Sequence, residues 1–256
     1  MFIDTHCHLS CDDYENIEDV LKENRRENVS PIIISGCSKK DINESLEYSR
    51  KYDDVFTTIG YHPSEARNVT DFDLDNLKSF LVSSSKVVGV GEIGLDYYYG
   101  KEDKEEQLAL FEKQLRIAEE LNLPVVIHSR EATLDTITLL KKYKVSGVIH
   151  CFSGSLETAN EYIKMGFLLG IGGVVTFKNS NLGDVVSKIP LLKLVLETDS
   201  PYLTPEPFRG TKNSSKYIPL IAKKVAECKN VSILEVEKTT TMNANKVFKL
   251  DVVEKK

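Results

Sequence analysis

Short apolar runs rich in β-branched residues recur along this chain at nearly regular intervals. They read as strands over 1–8, 31–36, 55–62, 87–96, 124–128, 146–150, 167–175 and 193–199. The mean spacing is about 27 residues, which leaves room for a strand, a helix and two short loops in each unit. The intervening segments carry helical periodicity. Between residues 102 and 121, for example, Leu108, Phe111, Leu115 and Ala118 fall on one face. Strands alternating with helices pair in parallel, and eight such units predict an α/β fold, a closed (β/α)8 TIM barrel. The 256 residues suit one domain of that kind over 1–256. An open doubly wound sheet is the alternative. It calls for a glycine-rich loop after the first strand, and Thr5-His-Cys-His-Leu9 is not one.

Local patterns support helix starts at Ser38, Thr70 and Ser232, each a hydroxyl three residues before a carboxylate. After the eighth strand comes a proline-rich loop over 200–208. Two helical stretches follow, near 215–228 and 233–248, and are expected to cover the barrel.

All five histidines fall at carboxyl ends of the proposed strands. His6 and His8 end the first, His62 the third, His128 the fifth and His150 the sixth. Glu92 and Asp96 lie in the fourth, and Asp199 ends the eighth. Residues two apart in a strand share a face, so His6 and His8 can reach one ion. In a (β/α)8 barrel these ends converge on the face where active sites are built. Taken singly, each fragment reads as a packed histidine or a buried hydrogen-bond partner; the joint placement is what points to metal. Imidazoles mixed with carboxylates suit Zn2+, Mn2+, Fe2+ or a water-completed Mg2+ pair, not an all-oxygen calcium cage. More than four ligands favours two divalent ions, with a carboxylate such as Glu92 between them.

The chain has 39 acidic and 33 basic residues, a net charge of −6. That disfavours wrapping nucleic acid along a broad basic surface. No apolar run approaches the roughly 20 residues of a membrane span. The N-terminus begins at once with strand-like residues and lacks the pattern of a secretion signal. The five cysteines, Cys7, Cys11, Cys37, Cys151 and Cys228, are odd in number and outside CxxC pairs. We read them as reduced thiols of a cytoplasmic protein. Cys7 and Cys151 adjoin histidines and could be soft ligands, or small buried hydrophobes. Strand alternation turns Cys7 away from the face of His6 and His8, which favours the second reading.

Six motifs then stand in order: Thr5-His-Cys-His8, Gly60-Tyr-His-Pro63, Gly91-Glu-Ile-Gly-Leu-Asp-Tyr97, His128-Ser-Arg-Glu-Ala132, His150-Cys-Phe-Ser-Gly154 and Glu197-Thr-Asp-Ser-Pro-Tyr-Leu-Thr-Pro205. Together they resemble the successive motifs of the TatD family of metal-dependent deoxyribonucleases, over residues 4 to about 213. The resemblance implies an amidohydrolase-like barrel that hydrolyses phosphodiesters of DNA with divalent metal. It implies one ion held by His6, His8, Glu92 and Asp199, and a second by Glu92, His128 and His150. Arg209-Gly-Thr-Lys-Asn213 is similar to the family's Arg-Gly stretch. Ser214 and Ser215 depart from the acidic residue and proline common there, which weakens any substrate contact assigned to that loop.

Chemistry assigns further roles. Asp199 is the candidate to orient a water and take its proton, beyond or besides serving as a ligand. Glu92 is expected to be catalytic as well as ligating. His62 is a candidate to contact phosphate or protonate the leaving oxygen, with packing before Pro63 as the plainer role. Arg130 and Arg209 could grip phosphate or form salt bridges. Asp96 is expected to hold a neighbouring histidine or its loop. Tyr97-Tyr-Tyr99 could stack bases or pack on a helix. The leading expectation is a monomeric or weakly associating exonuclease acting on single-stranded or frayed 3′ ends of DNA, with no membrane partner. The alternative enzyme is an amidohydrolase or phosphotriesterase acting on a small molecule. Many of those bridge their metals with a carboxylated lysine on the fourth strand, where this chain has Glu92. A barrel that binds without turnover would be expected to lack a ligand, and none is missing.

Overall fold

A computed structural model describes residues 1–250. Eight strands form one parallel sheet in chain order: β1 (Phe2–Cys7), β2 (Val29–Gly36), β3 (Val55–Ile59), β4 (Val87–Asp96), β5 (Val125–Arg130), β6 (Gly147–Ile149), β7 (Leu168–Ile171) and β8 (Leu194–Leu196). The helices α1 (Ile17–Arg26), α2 (Lys39–Lys51), α3 (Asp71–Leu81), α4 (Lys104–Leu121), α5 (Thr133–Leu140), α6 (Leu156–Lys164) and α7 (Leu182–Lys188) each connect one strand to the next. This is the (β/α)8 barrel expected from the spacing. Its seam closes at the carboxyl ends of β1 and β8. There the Asp199 N–H donates to His6 O (3.0 Å) and the His8 N–H donates to Ser200 O (2.7 Å). Thr5 Oγ1 adds a bond to Leu196 O at 3.0 Å.

The helix starts follow local chemistry. Thr70 and Asp73 form a reciprocal capping box at α3, while Ser38 caps α2. Along α4, Phe111, Leu115 and Ala118 are fully buried. Leu108 is only half-buried; the buried stripe takes Leu110 instead.

Ile3, Ile33, Val88, Val126, Val148 and Val195 make one buried cluster, with Phe56 and Leu168 packed against it. Each of the eight strands contributes one residue, which is possible only on the inner face of a closed barrel. Ala244, Phe248 and Leu250 join the same cluster. They bring the end of α9 (Ile233–Phe248) under the barrel, beside α8 (Ile218–Lys229), which also packs on α9. Among the described residues no helix is long and apolar enough to cross a membrane.

Several strands are shorter than their apolar runs. β3 stops at Ile59, β6 at Ile149 and β8 at Leu196, so His62, His150 and Asp199 stand just beyond the ladder. The backbone turns sharply there: Cys151 and Asp199 adopt φ of 45° and 55°. His128 remains inside β5, paired with Gly94. That pairing needs glycine, because Gly94 has φ 146° and a Cβ would lie 1.9 Å from His128 O.

Candidate metal centre

The inward turn of His6 and His8 has a local cause. Ile3 points into the barrel, and strict alternation would turn residue 6 outward. Between Asp4 and Cys7, however, β1 is irregular against β2, and an extra residue reverses the alternation. Cys7 is buried with its thiol on Ile33 O at 3.5 Å, away from the two imidazoles.

Glu92 sits at the centre, 3% exposed. Its Oε2 lies 3.4 Å from His6 Nε2 and 3.7 Å from His8 Nε2. Asp199 Oδ1 faces the same nitrogens at 3.7 and 3.4 Å. The other oxygen, Glu92 Oε1, lies 2.7 Å from His128 Nδ1 and 2.8 Å from His150 Nε2. Those two nitrogens are 3.1 Å apart. One carboxylate therefore offers a separate oxygen to each of two nitrogen groups. The sets His6–His8–Glu92 and Glu92–His128–His150 are each compact enough to hold an ion.

The chemistry of these donors fits divalent metal. His6 is 1% exposed, and neither of its ring nitrogens has a hydrogen-bond partner among the described residues. Two imidazole nitrogens converging on one carboxylate oxygen repel one another as lone pairs unless protons or a cation lie among them. Nitrogen and oxygen donors in this mixture suit Zn2+, Mn2+ or Fe2+.

Electrostatics keep the carboxylates ionised. Burial opposes the charge on Glu92, but the charge of His150 and hydrogen bonds from His128 and His150 hold it well below the usual range. Burial also opposes Asp199, and the His8 hydrogen bond with the charges of His150, His8 and His6 brings it below its ordinary value. His62 behaves differently. Burial pushes it down to about 4, despite Glu92 nearby. Its Nδ1 accepts the Ser64 N–H at 3.1 Å, so the ring proton sits on Nε2, which points toward Glu92 Oε1 at 3.9 Å. At neutral pH His62 is thus a neutral N–H donor facing the centre rather than a charged proton source.

Other expected residues lie around this core. Asp96 Oδ2 is 3.3 Å from His128 Nε2, the contact expected of a carboxylate that holds a histidine. Arg130 lays its guanidinium 3.6 Å over the Tyr98 ring. Arg209 stacks 3.9 Å over Phe177 and donates Nη1 to Thr204 O at 3.0 Å. Among the described residues neither arginine is in an ion pair, and neither joins the ligand cluster. The tyrosine trio divides: Tyr97 is buried and donates to Asp135 (2.9 Å), whereas Tyr98 and Tyr99 are exposed. Tyr202, 60% exposed, stands edge-on 6.2 Å from the His8 ring.

Three residues were given no role in the site by the sequence reading. Cys37 places its thiol 3.4 Å from Glu92 Oε2 and 3.9 Å from His8 Nδ1. Asp4 is fully buried and accepts from the Thr198 N–H (3.0 Å), Thr198 Oγ1 (2.5 Å) and the His6 N–H (3.2 Å). It ties the His6 strand to the segment bearing Asp199, and burial pushes its carboxyl up to about 7. Glu197 is the third. An acidic residue directly after the apolar Phe2-Ile3 of β1 is the signal that marks Asp4; Glu197 opens the sixth motif, which gave it no role. Nothing local marks Cys37.

A closed barrel with a mixed histidine–carboxylate cluster at its carboxyl end is the architecture of barrel metallohydrolases. The family described as TatD related DNase matches residues 3–249. The chain is 41% identical to the uncharacterized metal-dependent hydrolase YabD of Bacillus subtilis, over 98% of this chain and 100% of that one. It is 35% identical to the uncharacterized metal-dependent hydrolase YcfH of Escherichia coli K12, over 97% and 96%. The crystal structure of YjjV, a TatD homologue from E. coli K12, superposes with a TM-score of 0.91 at 30% identity, covering 97% of this chain and 98% of that one. The chain belongs to the TatD family of metal-dependent hydrolases.

Proposed function

We propose that this protein hydrolyses phosphodiester bonds of DNA, using one divalent ion held by His6, His8, Glu92 and Asp199 and a second held by Glu92, His128 and His150. The observation that carries this reading is the division of the two Glu92 oxygens between the two nitrogen groups. Mg2+, Mn2+ or Zn2+ bound there would supply Lewis acidity toward the phosphate and lower the pKa of a water toward neutrality. Asp199, ionised and facing the same nitrogens, orients that water and accepts its proton. His62 donates its Nε2–H to a phosphate oxygen or to the leaving oxygen. Arg130 and Arg209, both beyond the ligand cluster, meet the phosphates of neighbouring nucleotides.

DNA as substrate draws support from the family's description, and from the exposed rings of Tyr98, Tyr99 and Tyr202, on which bases can stack. The net charge of −6 favours holding a strand end at the metals over a long duplex track. Single-stranded 3′ ends are therefore the preferred substrate.

The test is digestion of end-labelled single-stranded and duplex oligonucleotides with Mg2+ or Mn2+. Wild type shortens the single strand from its 3′ end, EDTA stops it, and Glu92→Ala is inactive while still folded. Undiminished digestion by Glu92→Ala would remove the site assignment. Activity on a small amide or phosphotriester, with none on DNA, would replace the substrate.

A further inference from the structure

Glu197 is the first residue past β8 and is 0% exposed. A carboxylate at that depth needs partners. Its Oε1 accepts the Cys151 N–H at 2.5 Å, which fastens it to the residue next to His150. The same oxygen lies 3.7 Å from His150 Nδ1. His150 Nδ1 and Glu197 Oε2 are both buried without a hydrogen-bond partner among the described residues. The space for this carboxylate comes from β7: a Cβ on Gly170 would lie 2.1 Å from Glu197 Oε2.

We propose that Glu197 is the positioning residue for His150: its carboxylate holds the ring proton on Nδ1, so that the Nε2 lone pair faces the group made with Glu92 and His128. Two tautomers compete here. With the proton on Nε2, His150 donates to Glu92 Oε1, 2.8 Å away, and has no lone pair left for a metal. With the proton on Nδ1, it donates to Glu197 and Nε2 is free to ligate. The 3.7 Å separation exceeds a hydrogen bond, but His150 Nδ1 and Glu197 Oε2 are each left without any other partner among the described residues. Asp96 does the equivalent for His128, at 3.3 Å from Nε2. Each of the two imidazoles on this side therefore has its own outer carboxylate. The inference rests on the divalent-metal reading for its ligand, but not for the tautomer itself.

The test uses Glu197→Gln, which keeps an oxygen for the Cys151 N–H and removes the charge, with Gly170→Ala as an independent way to displace Oε2. Nitrogen-15 NMR of the histidine rings in chelator-treated protein, recorded at rising pH until His150 carries a single ring proton, reads which nitrogen keeps it. Calorimetric titration with Mn2+ reads each binding step. The expected result is Nδ1-protonated His150 in wild type and a shift of the proton to Nε2 in both variants. One of the two Mn2+ steps, that of the Glu92–His128–His150 set, falls about 10–100-fold while the other is unchanged. A wild-type tautomer and wild-type Mn2+ affinities in Glu197→Gln would overturn the proposal. So would equal weakening of both steps together with a lowered melting temperature, which marks a purely structural role. If wild type itself binds no Mn2+, the metal reading fails, and the NMR comparison still decides the role of Glu197.

Discussion

At the scale of single residues, the centre depends on who holds which proton. Glu92 is one carboxylate shared by four imidazoles, and the outer partners, Asp96 on His128 and Glu197 by His150, decide where the ring protons sit. His62 stands apart: Ser64 fixes its tautomer and burial keeps it neutral at pH 7. The donor role proposed for it predicts the phenotype of His62→Phe. Loss of one positioned donor lowers kcat by about 10²–10³-fold, with metal content by elemental analysis unchanged. A parallel loss of bound metal would instead make His62 a ligand. The type and spacing of the histidines were legible in the sequence because strand alternation is local. Cys37 and Asp4 were not, because their partners are 55 and 194 residues away.

At the scale of elements, helix starts and strand ends behave differently. The capping box at α3 satisfies its own backbone donors within four residues, so it was readable directly. Thr70→Ala should cost about 1 kcal/mol, which for a chain of this size lowers Tm by roughly 2–4 °C in a calorimetric scan. Asp73 carries a pH signature. Its folded carboxyl is brought down to about 2 by the Thr70 backbone and side-chain hydrogen bonds and by Lys39, from an ordinary value of 3.8. A depressed carboxyl stabilises above its unfolded value and loses that contribution as pH falls. Denaturant midpoints of wild type and Asp73→Asn should therefore differ most above about pH 5 and converge as pH falls through 3.8 toward 2. A gap independent of pH would assign the effect to packing. The strand ends were overextended in the sequence reading, by three residues in β3 and in β8. Past Ile59 the sequence Gly60-Tyr61 still reads as extended, and the turn at Asp199 is set by its bond to β1 rather than by its own preference.

For the whole molecule, the barrel brings the proposed ligands together at one end while α9 closes the other. Phe248 is buried among inward residues contributed by the strands. Phe248→Ala should destabilise by about 3–5 kcal/mol in urea unfolding, with a cavity beneath the barrel. Because that cavity lies in the layer of Ile3, Val88 and Val126, each the second residue of its strand, the folded variant should keep its metal affinity. A variant that lost metal without losing stability would couple α9 to the centre directly.

The sequence by itself determined the repeat, the barrel and the residue types gathered at the strand ends that are proposed as ligands. Periodicity and strand-end chemistry are read from neighbours a few residues apart. Only the tertiary structure decided that Glu92 divides its oxygens, that Arg130 and Arg209 lie on aromatic rings, and that buried Asp4 and Glu197 hold the strands bearing the ligands. These depend on the closing of β1 against β8 and on the depth at which each side chain is sealed from water. Closure joins residues at opposite ends of the chain, and burial belongs to the packed whole, so neither is encoded in any local stretch of residues.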